Sequence, residues 1–358
     1  MPGAYLNSAA EGLPLDSAGA AYERYLDAKS RGSSGRAVFD EIEDDARLAF
    51  AGLLAVPPAD IAFVASTSRG FDAVVKSIEW MPGDSIVVPL TEFPTALFAA
   101  RLLETRGIVV RSVGLSADGT LDEDAVIAAI DDTTRLVVAS VVSFRTGQRL
   151  HTHALVARAH ELGALVFLDA VQALGSVAFE VGDADFVCAA SFKWLLGLHG
   201  AAGLYVNPRT LSNTRPPYVG YRSVVDLFPP PPASEEPYPD ARRYEEGLPD
   251  YGALAVLHAS LQQLAGLRDE IVHHNREVTA RLRDGLLELG AAVLAPDAPR
   301  GSIVAFETPK HAEIARTLSD AGTTVWARDG RVRLSPHAYT TEDDVATALR
   351  QLEQIGLA

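Results

Sequence analysis

The chain has 358 residues, 48% hydrophobic and 22% charged, a mixture that supports a sizeable buried core and excludes a disordered or collagen-like polymer. Its formal net charge of −16 opposes approach to the phosphate backbone of nucleic acid and to anionic lipid, so neither is an expected partner. One cysteine, no apolar run of membrane-spanning length, and a start, MPGAYLNSAAEGLPL, without the basic and apolar regions of a secretory leader make the cytoplasm the expected compartment.

In chain order, FDEIEDDARLAFAGLLAV has the spacing of an amphipathic helix and is ended by Pro57 and Pro58. Helix-like and strand-like segments then alternate. The runs IAFVAS, SIVVP, GIVVRSV, RLVVASVV, ALVFLD, ADFVCAA and GLYV are rich in Val, Ile and Phe, as expected of strands buried on both faces of a parallel α/β sheet. Residues 216–252 carry many prolines and little apolar periodicity, which predicts a long irregular segment. Beyond it, ALAVLHASLQQLAGLRDEIVHHNREVTARLRDGLLELG is helical throughout, as two helices or one bent one. SIVAFE, TTVWAR and RVRLS are short strands with a helix between the first two, and a last helix starts near Thr341. The expected organisation is a large domain over residues 16–250 and a smaller α/β domain made of 1–15 with 251–358.

Asp169 and Lys193 each lie beside one of these buried runs, where an unpartnered charge is costly. Open α/β sheets bind ligands at the carboxyl ends of their strands, and one ligand there would account for both. Pyridoxal phosphate needs this pair: a lysine amine for its Schiff base and a carboxylate at the pyridinium nitrogen. A satisfied buried aspartate and a solvated lysine is the competing reading of the spacing alone. Thr67 and Ser68 follow a strand and open a helix, the place for an anion such as phosphate or for a simple helix cap. Ser191 could add a hydroxyl. The pairs His151/His153 and His273/His274 lack metal-site spacing, so no metal is expected.

The segment DAVQ…SFKWLLG resembles the class V aminotransferase family, which includes cysteine desulfurases, kynureninases and isopenicillin-epimerase-like proteins, and the resemblance extends over most of the chain. It implies the fold-type I architecture of pyridoxal-phosphate enzymes, a large domain with a mainly parallel sheet plus a smaller C-terminal α/β domain. It further implies that Asp169 meets the pyridinium nitrogen, Gln172 reaches the phenolic oxygen and Lys193 carries the internal aldimine. Thr67 and Ser68 would hold the cofactor phosphate. LTEFPTALF resembles the family's EFP segment and implies Phe93 stacking on the ring; SVVSFRTGQRL makes Ser143 and Arg145 candidates near cofactor or substrate. RVRLSPHAYTTEDDV resembles the terminal arginine signature, which assigns Arg333 to the substrate α-carboxylate, and YLNSAA brings Asn7 toward the substrate.

The implied chemistry is α-proton removal from a small amino acid by Lys193 through a quinonoid. A β-elimination lyase acting on a C–S bond is the first expectation. Transamination comes second, then epimerisation or kynureninase-type hydrolysis, and a cofactor-binding pseudoenzyme is the non-catalytic alternative. Three departures stand out. Leu248 replaces a threonine that in many relatives crosses to the partner's phosphate, and Phe192 replaces the polar residue before the lysine. Cys188 lies in a strand, whereas a persulfide-forming desulfurase needs its thiol on a mobile loop. A homodimer is expected, with residues 216–252 helping to close the partner's site and Tyr218, Tyr221, Phe228, Tyr238 and Tyr244 as anchors.

Overall fold

Two sheets organise the chain in a computed structural model that describes residues 3–218, 220–226 and 236–357. The larger sheet contains β1 (Ile61–Val64), β2 (Ser85–Pro89), β3 (Val109–Val113), β4 (Thr134–Ser140), β5 (Leu165–Asp169), β6 (Phe186–Ala190) and β7 (Ala202–Val206). Every run read as a strand in this region forms one. Their spatial order is β1-β7-β6-β5-β4-β2-β3. Pairing is parallel from β3 through β2, β4 and β5 to β6, while β7 runs antiparallel to both β6 and β1. The expected mainly parallel sheet thus has one reversed strand. The cause is the connection: residues 191–201 join β6 to β7 without a helix, and so short a link cannot make a parallel crossover.

Helices cover both faces. They are α1 (Ser17–Ser30), α2 (Arg36–Leu54), α3 (Thr67–Ser77), α4 (Pro94–Glu104), α5 (Glu123–Ala128), α6 (Thr152–Glu161) and α7 (Tyr251–Ala265). β2, β6 and β7 are buried along their whole length, which is why they carry no polar alternation. Little in the sequence marks α1, since only Ala28 of that helix is buried; it forms where it packs on α2 and α7.

A second, antiparallel sheet contains β8 (Ala292–Val293), β9 (Val304–Glu307), β10 (Trp326–Arg328) and β11 (Arg331–Leu334), in the order β10-β11-β9-β8. The long helical run splits near Gly266 into α7 and α8 (Arg268–Glu288), and α9 (His311–Asp320) and α10 (Glu342–Ile355) complete the layer. Thr341 starts α10 with a reciprocal capping box to Asp344. Leu6 of the N-terminal segment lies in this core with Val304, Phe306 and Leu334, and Asn7 bridges to Ser335 just beyond β11.

The described part of residues 216–252 is tied to its own chain. Arg47 of α2 bonds Glu43 at 2.6 Å and Glu245 at 2.8 Å, and Arg222 also bonds Glu43. Tyr244 is fully buried against Phe186 and bonds Thr214, so it is consumed inside the subunit and corrects the expectation of an interface anchor there. Tyr218 and Tyr238 lie against Arg69 and Arg242, and Tyr221 is exposed; Phe228 is outside the described residues. Among the described residues no helix is long and apolar enough to cross a membrane.

Candidate active site

The carboxyl ends of the parallel strands open onto one cavity, whose lining includes Thr67, Ser68, Phe93, Asp169, Gln172 and Lys193. Asp169 is the last residue of β5 and pairs in register with Ser140 at the end of β4. Its Oδ1 accepts the Val171 N–H at 2.9 Å, which fixes the carboxylate where the chain leaves the sheet. Burial raises the Asp169 carboxyl above its usual range, opposed by the Val171 bond and the charge of Lys193. Lys193 sits in the turn between β6 and β7. Burial brings its ammonium down to about 8, with Asp169 opposing the shift and Arg333 adding to it.

Packing holds this lysine turn closely. Lys193 Nζ stands 5.7 Å from the Phe93 ring centre and 5.6 Å from that of Phe192. The N-terminal segment lies directly on the turn: Gly12 donates its N–H to the Phe192 carbonyl at 2.9 Å. A Cβ at Gly12 would fall 1.8 Å from the Lys193 carbonyl oxygen, so only glycine permits this approach.

Another part of the cavity wall is the start of α3. Ser66 caps α3 by accepting the Arg69 N–H at 3.2 Å, so the first N–H groups of the helix have no partner within it. Ser68 Oγ and Thr95 Oγ1 lie 2.9 Å apart and join the starts of α3 and α4. Thr67 Oγ1 is buried with no oxygen or nitrogen partner, and only the Cys188 thiol is beside it. Unsatisfied donors and hydroxyls at a helix N-terminus fit a phosphate.

Other candidates lie around this cavity with different degrees of engagement. Gln172 donates Nε2–H to the Ala9 carbonyl at 3.0 Å and accepts the Trp194 indole N–H at 2.7 Å. The Ser191 hydroxyl is used by the Leu198 carbonyl, and Ser143 Oγ accepts the N–H groups of Arg145 and Thr146, so both shape turns. None of Ser143, Ser191, Arg145, Asn7 and Arg333 lines the cavity, although Asn7 Oδ1 is buried and lacks a partner. Arg333 is buried in β11, donates to the Phe144 carbonyl at 2.9 Å and stacks 4.9 Å from the centre of Trp326. Burial pulls its guanidinium down to about 9, helped by Arg331.

Sequence reasoning assigned no role to Glu92, which is buried and lines the cavity. It accepts both the Ser140 N–H and hydroxyl at 2.7 Å, and burial raises its carboxyl to about 7. The EFP segment contained this residue, but a carboxylate beside a phenylalanine carries no local signal that a strand end will bury it. Arg331 and Trp326 were missed for a related reason: their shared face depends on the pairing of β10 with β11.

The model of the aminotransferase class-V family matches residues 5–347. The chain belongs to that family. A probable cysteine desulfurase of Methanothermobacter thermautotrophicus is 29% identical over 245 residues, covering 66% of this chain; this chain spans about 60% of that relative's length. Among solved structures, the apo cysteine desulfurase of Thermococcus onnurineus NA1 superposes with a TM-score of 0.89 at 22% identity, covering 99% of this chain and 94% of that one. The cystine C–S lyase C-DES, solved with its reaction product cysteine persulfide, gives 0.89 at 24% identity, covering 98% and 97%. These likenesses establish a class V fold-type I architecture.

Proposed function

We propose that this class V chain is a pyridoxal-phosphate-dependent lyase that cleaves the C–S bond of a small amino acid by β-elimination. The observation that carries the reading is one cavity with a phosphate cradle at the start of α3 at one end and Lys193 beside Asp169 at the other. The donor set fits the cofactor: Thr67 and Ser68 would hold its phosphate, Asp169 its ring nitrogen, Gln172 its phenolic oxygen, Phe93 its ring face and Lys193 its aldehyde carbon. Bound there, the cofactor supplies an electron-withdrawing ring that acidifies the substrate α-C–H bond. Relatives named for cysteine desulfuration and cystine C–S cleavage favour a sulfur leaving group.

The protein's own residues then have separate tasks. Arg333 binds the α-carboxylate, Lys193 takes the proton from the α-carbon, and Asp169 keeps a proton on the ring nitrogen. Lys193 can return its proton to the departing sulfur. The net reaction adds water to RS–CH2–CH(NH3+)–COO− and yields a thiol, pyruvate and ammonium. Cys188, the only cysteine of the sequence, is fully buried in β6, and burial drives its thiol above the usual range. No cysteine of this chain is thus placed to carry substrate sulfur away.

Screening S-substituted cysteines, cystine and unsubstituted amino acids for pyruvate, ammonia and thiol tests the reaction. S-substituted cysteines should give thiol, pyruvate and ammonia in equal amounts, cystine should give a persulfide in place of the thiol, and unsubstituted amino acids should give none; formation of a pyridoxamine form with a 2-oxo acid would identify transamination instead. The free lysine also gives a pH test. An amine near 8 is protonated below that value and nucleophilic above it, so cofactor uptake by stripped protein should accelerate with rising pH, with a midpoint of about 8. A rate flat from pH 7 to 9 would contradict the placement of Lys193.

Assembly as a homodimer belongs to the same proposal. Phe98 and Leu102, one turn apart on α4, are 63% and 68% exposed, an apolar face beside the site that a second copy would cover. The proposed division into residues 16–250 and 1–15 with 251–358 places Arg333 and Lys193 in different domains, so relative domain movement would open or close the substrate site.

A further inference from the structure

Alternation along β11 puts Arg331 and Arg333 on one face of the small sheet, with Cα atoms about 7 Å apart. They are only 3% and 4% exposed, and both guanidiniums lie against Trp326, at 5.6 and 4.9 Å from its centre. Each has a single backbone acceptor: Arg331 reaches the Arg145 carbonyl at 3.3 Å and Arg333 the Phe144 carbonyl at 2.9 Å. The Nε atoms of both are buried without a partner. Among the described residues no carboxylate forms an ion pair with either. Glu307, exposed and opposite Arg331 in the β9–β11 register, and Asp329, turned to Arg328, attract the Arg331 charge without touching it.

Arg300 shows how this chain satisfies a structural buried arginine. Its Nε also lacks a partner, but its two terminal nitrogens reach four carbonyls, those of Thr146, Ile303, Leu294 and Ala295. Arg331 has no such set, and Arg145 adds a third positive charge beside it. Three cations gathered without a contacting acid, in a chain of net charge −16, are costly unless an anion joins them. One α-carboxylate accounts for Arg333 alone. Phe144, whose carbonyl holds Arg333, lines the cavity; Arg145, whose carbonyl holds Arg331, is the next residue of the chain, and the three arginines stand behind the lining rather than in it.

We propose that the substrate carries a second carboxylate on its side chain and that Arg331 receives it, making the preferred substrate a dicarboxylic S-substituted cysteine. The assignment rests on Arg333 holding the α-carboxylate in the reading above. Two measurements on the holoenzyme test it. Calorimetry compares adipate with its monoamide, and turnover compares S-carboxymethyl-L-cysteine, which has the same carboxylate spacing, with its isosteric side-chain amide. The acid should bind at least about 10-fold tighter than the amide and show a kcat/KM ratio of the same order, because a charge-assisted pair is lost in the amide. In Arg331→Met both ratios should fall to about 1, and Arg331→Gln serves if the first variant does not fold. Equal binding of adipate and monoamide by the unmodified protein, or an acid preference that survives loss of Arg331, would overturn the proposal. Adipate preference that depends on Arg331 without turnover of either cysteine derivative would instead sink the lyase reading and leave the second anion site standing.

Discussion

Lys193→Ala is expected to lower kcat by at least about 10^3-fold, because in the proposed reaction it removes both the base for the α-proton and the amine that would fix the cofactor. The loss should not come from unfolding. Lys193 lies in a turn between two fully buried strands, and its side chain opens into the cavity rather than filling the core. Burial also brings its ammonium down to about 8, so the site holds this charge at some expense. A neutral alanine should therefore preserve or slightly raise thermal stability, and pyridoxal phosphate should still bind without a covalent link through the α3 terminus. Stopped-assay kinetics with a melting curve would check both halves. A variant that melts early would place Lys193 in the structural framework, and one that retains a tenth of the activity would remove it from the chemistry.

Asp169→Asn should cost about 10^2-fold or more in kcat while leaving cofactor uptake largely intact, the scale seen when one preorganised electrostatic partner is removed. The carboxylate already accepts the Val171 N–H and faces Lys193, and an amide oxygen can keep the first contact but not the negative charge. It cannot hold a proton on a ring nitrogen, so electron withdrawal is lost. The neighbouring Glu92 will not substitute: both of its oxygens are committed to Ser140. Single-turnover measurements should show slowed α-proton removal with unchanged substrate binding. If the Asp169→Asn variant lost the cofactor as readily as it lost activity, Asp169 would be a binding residue and the assigned role would be wrong.

The larger sheet was legible because its strands are buried on both faces, and runs such as SIVVP and ADFVCAA have no room for polar alternation. The direction of β7 was not legible from its own residues; it follows from the length of the turn that carries Lys193. Helix α1 escaped notice because its burial depends on α7, which comes more than two hundred residues later. For the site, Asp169, Lys193 and the Thr67–Ser68 turn could be read because each combines a polar group with the end of a strand. Asn7 was placed only by resemblance, and its bridge to Ser335 explains how the first residues reach the end of β11. Nothing in RVRLS singles out Arg331. Its significance depends on missing acids, a property of the surroundings that no local pattern records.

The proposed function makes Lys193 the residue on which fixation of pyridoxal phosphate in this cavity depends. Borohydride reduction of the cofactor-loaded protein, followed by peptide mapping by mass spectrometry, tests this most directly. The expected result is a visible absorption band that disappears on reduction and one pyridoxyl-phosphate adduct, on Lys193, in the SFKWLLG segment. Protein that remains colourless after incubation with the cofactor, or an adduct on Lys29, Lys76 or Lys310 with Lys193 unmodified, would contradict it.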